Sequence, residues 1–146
     1  MPKVLLIQGA NMTYLGRREP EIYGSTTAAE LDAMLLAQAA QAGCELDILY
    51  THIEGEAIAR IYAATEDGTE GILMNPAGFS YAGHALRDCL NAVTLPYVEV
   101  HMTNVERRGI HSVIAQRADG VIFGLGVYSY TLGLQAILHL IAQRGG

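Results

Sequence analysis

Val4-Leu5-Leu6-Ile7, closed by Gln8-Gly9, is an unbroken apolar run with no alternation. A strand with one wet face alternates apolar and polar residues, whereas a strand covered on both faces does not. Four further short runs, rich in β-branched residues, have the same character: Leu46–Tyr50, Gly71–Met74, Tyr97–Val100 and Gly120–Phe123. Longer amphipathic stretches separate several of them, so strand and helix alternate along the chain. The pattern predicts a doubly wound α/β domain: a five-stranded parallel sheet with helices packed on both faces.

The clearest helix is predicted over Thr27–Ala42. Ser25-Thr26-Thr27 with Glu30 fits a capping box, Leu31, Met34, Leu35 and Ala39 make the apolar face, and Gly43 stops it. Three more are predicted over Glu54–Thr65, Gly83–Ala92 and Thr131–Arg144. In such sheets ligands bind at the carboxyl ends of the strands. Function is therefore sought from Gln8, Thr51, Asn75, His101 and Gly124 onward, and in the two long gaps, Gln8–Thr26 and Asn104–Asp119.

At roughly 100–200 residues per domain, the 146 residues make one domain, residues 1–146. Hydrophobic residues are 51% of the chain and charged residues 16%, which excludes disorder and suggests that part of the surface is covered in a homo-oligomer. Asp plus Glu outnumber Lys plus Arg by 15 to 9, and Lys3 is the only lysine, so nucleic acid is not an expected partner. An anionic ligand must be held by individually placed arginines and backbone amides, since the net charge of −6 repels it. Cys44 and Cys89 sit in apolar surroundings with no second thiol nearby and read as small core residues. No stretch approaches 18 apolar residues and Met1-Pro2-Lys3 leads directly into the first strand; no membrane partner is expected, and the expected address is the cytoplasm.

The first loop contains neither G-x-G-x-x-G nor a G-x-x-x-x-G-K-[ST] phosphate loop, which argues against nucleotide binding. It does carry Arg18 and Tyr23. A free phenol ionises near pH ~10, and a guanidinium beside it favours the anion, so such a pair can supply a base. At the fourth strand end, period-2 geometry puts Glu99, His101 and Thr103 on one side of the chain. A carboxylate then orients the imidazole as a general acid, while the following amides and the Thr103 hydroxyl can receive a carboxylate. Asn75, directly after the third run, offers amide donors and an acceptor at the same edge.

Taken together, Asn11, the segment Arg18-Glu19-Pro20-Glu21-Ile22-Tyr23-Gly24-Ser25-Thr26-Thr27, Glu54-Gly55-Glu56, Asn75-Pro76, Ala85-Leu86-Arg87-Asp88 and Glu99-Val100-His101 resemble type II dehydroquinases, in order and over nearly the whole chain. The resemblance implies a flavodoxin-like domain assembled as a dodecamer, a tetramer of trimers. It implies anti elimination of water from 3-dehydroquinate through an enolate, without metal or cofactor, in the shikimate pathway. Tyr23 is then the base that removes the proton next to the ketone, with Arg18 supporting its anionic form. Asn11 holds a water that stabilises the enolate, and His101, oriented by Glu99, protonates the departing hydroxyl. Asn75, Thr103 and the amides of Met102 and Thr103 hold the substrate carboxylate, with Thr103 standing where the family commonly has serine. Asp88 matches a residue that reaches a neighbouring subunit's site.

Two features expected from the resemblance are absent, and both read the substrate's ring hydroxyls. Tyr81 stands where the family places histidine, and an arginine before the pair represented by His111-Ser112 is missing from a loop about three residues shorter. Gln8-Gly9-Ala10-Asn11 also replaces the usual Asn-Gly-Pro-Asn, and Thr13-Tyr14 is unusual. His84, one helical turn from Tyr81, and Arg107 or Arg108 are the available substitutes. Loss of hydroxyl partners can change specificity by orders of magnitude. The alternative reading is accordingly a paralogous dehydratase acting on a different hydroxy-keto carboxylate. A non-catalytic descendant would be expected to lose Tyr23 or Arg18, and both are present.

Overall fold

A computed structural model describes residues 1–145. Its elements are β1 (Lys3–Ala10), α1 (Pro20–Tyr23), α2 (Ala28–Gln41), β2 (Glu45–Tyr50), α3 (Glu54–Ala64), β3 (Gly71–Ala77), α4 (His84–Ala92), β4 (Tyr97–His101), β5 (Gly120–Phe123) and α5 (Tyr128–Gly145). The five strands form one sheet in the order β2-β1-β3-β4-β5, parallel throughout. The order reverses between β1 and β3, so their carboxyl ends border the crevice at which sheets of this kind bind ligands.

The unbroken apolar runs are explained by two separate cores. Val4, Leu6, Leu73, Val98 and Val100 pack on one face against Leu31, Leu35 and Ala39 of α2 and Tyr130, Leu134, Ile137 and Ile141 of α5. Leu5, Ile7, Ile72, Met74 and Tyr97 pack on the other against Ala57, Ile61 and Ala64 of α3 and Leu86, Cys89 and Leu90 of α4. Consecutive residues of β1 and β3 are thus alike apolar because both faces of these inner strands are dry. Cys44 and Cys89 are free and buried, and burial pushes both thiols up in pKa.

The capping box opens α2: the Glu30 N–H donates to Thr27 Oγ1 at 3.1 Å and the Thr27 N–H to Glu30 Oε1 at 3.0 Å. Several elements differ from the sequence expectation. Within the first loop, α1 forms a single turn, with Pro20 at a position where its missing N–H costs nothing; four residues are too few to show a period. Helix α5 starts at Tyr128, three residues before the expected Thr131, where Ser129 Oγ accepts from the Leu125 N–H at 3.1 Å. Strands β1 and β3 run beyond their apolar segments to Ala10 and Ala77, carrying polar Gln8 and Asn75 inside the ladder.

Gly9 allows that extension. A Cβ there would lie 2.2 Å from the Pro76 carbonyl oxygen, so only glycine lets the last residues of β1 lie this close to β3. Among the described residues no helix is long and apolar enough to cross a membrane.

Candidate active site

At the carboxyl ends of β1, β3 and β4 an open cleft is lined by Asn11, Arg18, Tyr23, Asn75, Tyr81, His101, Met102, Thr103 and Arg108, with Met12, Leu15, Val105 and Ile110 among its apolar parts. Glu99 lies behind the wall, fully buried.

Strand β4 builds the most rigid part. Alternation points Tyr97, Glu99 and His101 to one side, and the Glu99 carboxylate joins them: Oε1 accepts from the Tyr97 hydroxyl at 2.6 Å, and Oε2 lies 2.7 Å from His101 Nε2. With Nε2 held by a carboxylate, Nδ1 is the free nitrogen of the imidazole that lines the cleft. Burial, reinforced by the carboxylate beside it, pushes the Tyr97 phenol well up in pKa, which keeps the proton on the phenol and donated to the Glu99 oxygen.

Strand β3 carries Asn75 into a buried relay. Its Oδ1 accepts from the Ala77 N–H at 3.0 Å, and its Nδ2 donates to Tyr130 Oη at 2.8 Å and points at Met12 Sδ at 3.7 Å. The Tyr130 hydroxyl in turn donates to Gln8 Oε1 at 2.7 Å. Only the N–H facing Met12 is weakly engaged, so that proton is the one Asn75 can offer a ligand. The same contact of Oδ1 braces Ala77 at φ 46, a left-handed conformation that alanine rarely adopts.

The base candidate sits at the end of α1. Tyr23 Oη accepts from Arg108 Nη2 at 3.0 Å, while Arg108 Nη1 donates to Thr103 Oγ1 at 3.0 Å. The Arg18 guanidinium lies over the Tyr23 ring, 4.7 Å from its centroid, and 3.7 Å from the Glu19 carboxylate. Two cations therefore surround the position at which a phenolate would carry its charge. Of the two arginines offered by the shortened loop, Arg108 reaches the cleft, whereas Arg107 is exposed and does not line it.

Tyr81 lies on the rim with 64% of its surface exposed. His84 is not brought to the cleft. The helical spacing expected between Tyr81 and His84 fails because Tyr81 ends a separate 3-10 turn, Gly78–Tyr81, and Gly83 intervenes before α4 begins at His84. Asp88 is exposed on α4, also outside this lining. Two contributors were not marked by the sequence reading. Tyr130 lies in the expected boundary of α5, and His52 follows β2 and hydrogen-bonds the Asn11 loop. For His52 the available signal was its place just beyond a strand end, beside Thr51.

The buried phenols also predict an alkaline limit. Burial pushes Tyr130 and Tyr50 upward, the latter helped by its 2.8 Å bond to Asp32, as it does Tyr97. Unfolded tyrosines ionise near pH ~10 while these stay protonated, so stability is whole below that pH and falls as pH rises past it. The denaturant midpoint is expected to drop between about pH 9 and 11, less steeply in Tyr130→Phe. Identical slopes in the two proteins would remove Tyr130 from this account.

The family described as Dehydroquinase class II matches residues 2–138. The 3-dehydroquinate dehydratase of Xanthomonas oryzae pv. oryzae (strain PXO99A) is 48% identical over 141 residues, covering 94% of this chain and 95% of that protein. The crystal structure of the type II dehydroquinase from Butyrivibrio crossotus DSM 2876 superposes with a TM-score of 0.89 at 33% identity, over 93% of this chain and 97% of that one. That of the type II dehydroquinase from Propionibacterium acnes has a TM-score of 0.88 at 34% identity, over 97% of both.

Proposed function

The chain belongs to the dehydroquinase class II family, and on that premise we propose that its cleft dehydrates 3-dehydroquinate to 3-dehydroshikimate by anti elimination through an enolate. The observation that carries this reading is the pairing of Tyr23, hydrogen-bonded by Arg108 and overlaid by Arg18, with the Glu99-held His101 in the same cleft.

The tyrosinate removes the proton next to the ketone, and the C–H electron pair moves into an enolate. Asn11, whose side-chain amide makes no hydrogen bond to the described residues, steadies that oxyanion through a water. The enolate then collapses, the carbon–carbon double bond forms and the C–O bond breaks. His101 supplies the proton with which the hydroxyl leaves as water. One proton is taken and one returned, so the step needs no oxidant or reductant.

The substrate carboxylate is received by the amides of Met102 and Thr103, the Thr103 hydroxyl and the weakly engaged Asn75 N–H. Arg108, already bonded to Thr103, adds a positive charge at that end. In a protein of net charge −6 the attraction for an anion has to be this local. The assembly proposed is a homo-dodecamer, a tetramer of trimers, in the cytoplasm, with Asp88 completing a neighbour's site. Exposed Ile53, Leu125 and Tyr128 are apolar surface for such contacts to cover.

Purified protein mixed with 3-dehydroquinate is expected to generate the absorbance of the conjugated enone. A second reading, a dehydratase of another hydroxy-keto carboxylate, is favoured by Tyr81 at the rim. Turnover of dehydroquinate at an enzymatic rate excludes that second reading, and none at high enzyme concentration sinks the first.

A further inference from the structure

His52 lies two residues beyond β2, outside the cleft lining, and no step above uses it. Both of its ring nitrogens are tied to the loop that follows β1. The Asn11 main-chain N–H donates to Nδ1 at 3.0 Å, and Nε2 lies 3.2 Å from Thr13 Oγ1. An amide N–H can only donate, so Nδ1 is the acceptor and the ring proton sits on Nε2, where it is given to the Thr13 hydroxyl.

Asn11 needs such a hold. Its φ of 79 is left-handed, a conformation that a residue with a Cβ adopts under constraint. Its carbonyl accepts from the Tyr14 N–H at 3.1 Å, and its side chain lines the cleft without a protein partner among the described residues. The imidazole is thus what fixes its N–H. The clamp has a firm base: the Thr51 N–H donates to the Gln8 carbonyl at 3.1 Å, extending the β1–β2 ladder, and the Ile53 N–H donates to Thr51 Oγ1 at 3.0 Å. The sheet order, with β2 next to β1, brings His52 to this loop.

We propose that His52 is a positioning residue of the dehydration, its imidazole bridge holding Asn11 so that the Asn11 side-chain amide meets the enolate oxyanion. The proposal rests on the elimination reading of the cleft. Because the oxyanion exists only after proton removal, the bridge acts on kcat more than on KM.

With dehydroquinate as substrate, His52→Ala is expected to lower kcat about 10- to 100-fold, the scale of a catalytic group displaced by about 1 Å, with KM within about threefold. His52→Asn, whose Oδ1 lies where Nδ1 does and can accept from the Asn11 N–H although its amide falls short of Thr13, is expected to recover most of the loss. An unchanged kcat in His52→Ala, or a loss in His52→Asn as deep as in His52→Ala, overturns the proposal. A readout free of substrate is the histidine ¹H–¹⁵N spectrum of the wild type, which should show His52 with its proton on Nε2; a proton on Nδ1 overturns the bridge outright. If the wild type does not turn over dehydroquinate, the elimination reading falls on its own, and the spectrum still decides the bridge.

Discussion

Tyr23→Phe is expected to lower kcat on dehydroquinate by about 10²–10⁴-fold or more, with KM nearly unchanged. The substitution removes one oxygen, the acceptor of the 3.0 Å bond from Arg108, and leaves the ring beneath Arg18. Substrate binding draws on Met102, Thr103 and Asn75, none of which is hydrogen-bonded to that oxygen, and on Arg108, which keeps its bond to Thr103. The loss should therefore be confined to proton removal. Steady-state kinetics on the two proteins, with thermal midpoints as a control for folding, make the comparison. A loss of less than about tenfold would take the role of base away from Tyr23.

His101→Asn is expected to be as slow in net dehydration, again by about 10²–10⁴-fold, yet to differ in kind. If the enolate is a true intermediate, this variant still possesses the base and loses only the acid of the second step. In D₂O it should exchange the substrate proton next to the ketone for deuterium without forming enone, whereas Tyr23→Phe should do neither. Exchange lost in both would give His101 a part in the first step. Because Glu99 is fully buried and His101 is one of its two partners, the variant should also be less stable. The exchange measurement is informative because it separates that cost from the chemistry.

The strands were legible because Val4–Ile7 and Tyr97–Val100 face two cores, a condition that leaves its mark in consecutive residues. Thr27 and Glu30 were legible because a capping box is local. Local signals also marked Glu99 and His101, whose contact follows from strand alternation alone. What was not legible depends on where loops go. Arg108 and Tyr23 are bonded, but the segments that carry them have no period from which a meeting can be computed. The same holds for His52 and Asn11, joined only because β2 and β1 are neighbours. His84 was misplaced because spacing was taken as helical across Gly83, where the backbone starts a new element. Tyr130 escaped notice because a buried aromatic near a helix start reads as core, and its hydroxyl bond to Asn75 is invisible until β3 and α5 are packed.

The relay from Gln8 through Tyr130 to Asn75 also governs when the cleft can come into being during synthesis. Gln8 is made among the first residues, Asn75 near the middle and Tyr130 close to the end, and every strand pair is parallel, so no neighbouring hairpin can form early. A chain emerging from the ribosome holds β1 for most of its translation before β3 and then α5 arrive to complete its surroundings. A nascent or truncated chain lacking α5 leaves Asn75 and Gln8 without the hydroxyl they share and uncovers the core face that Tyr130, Leu134 and Ile137 close.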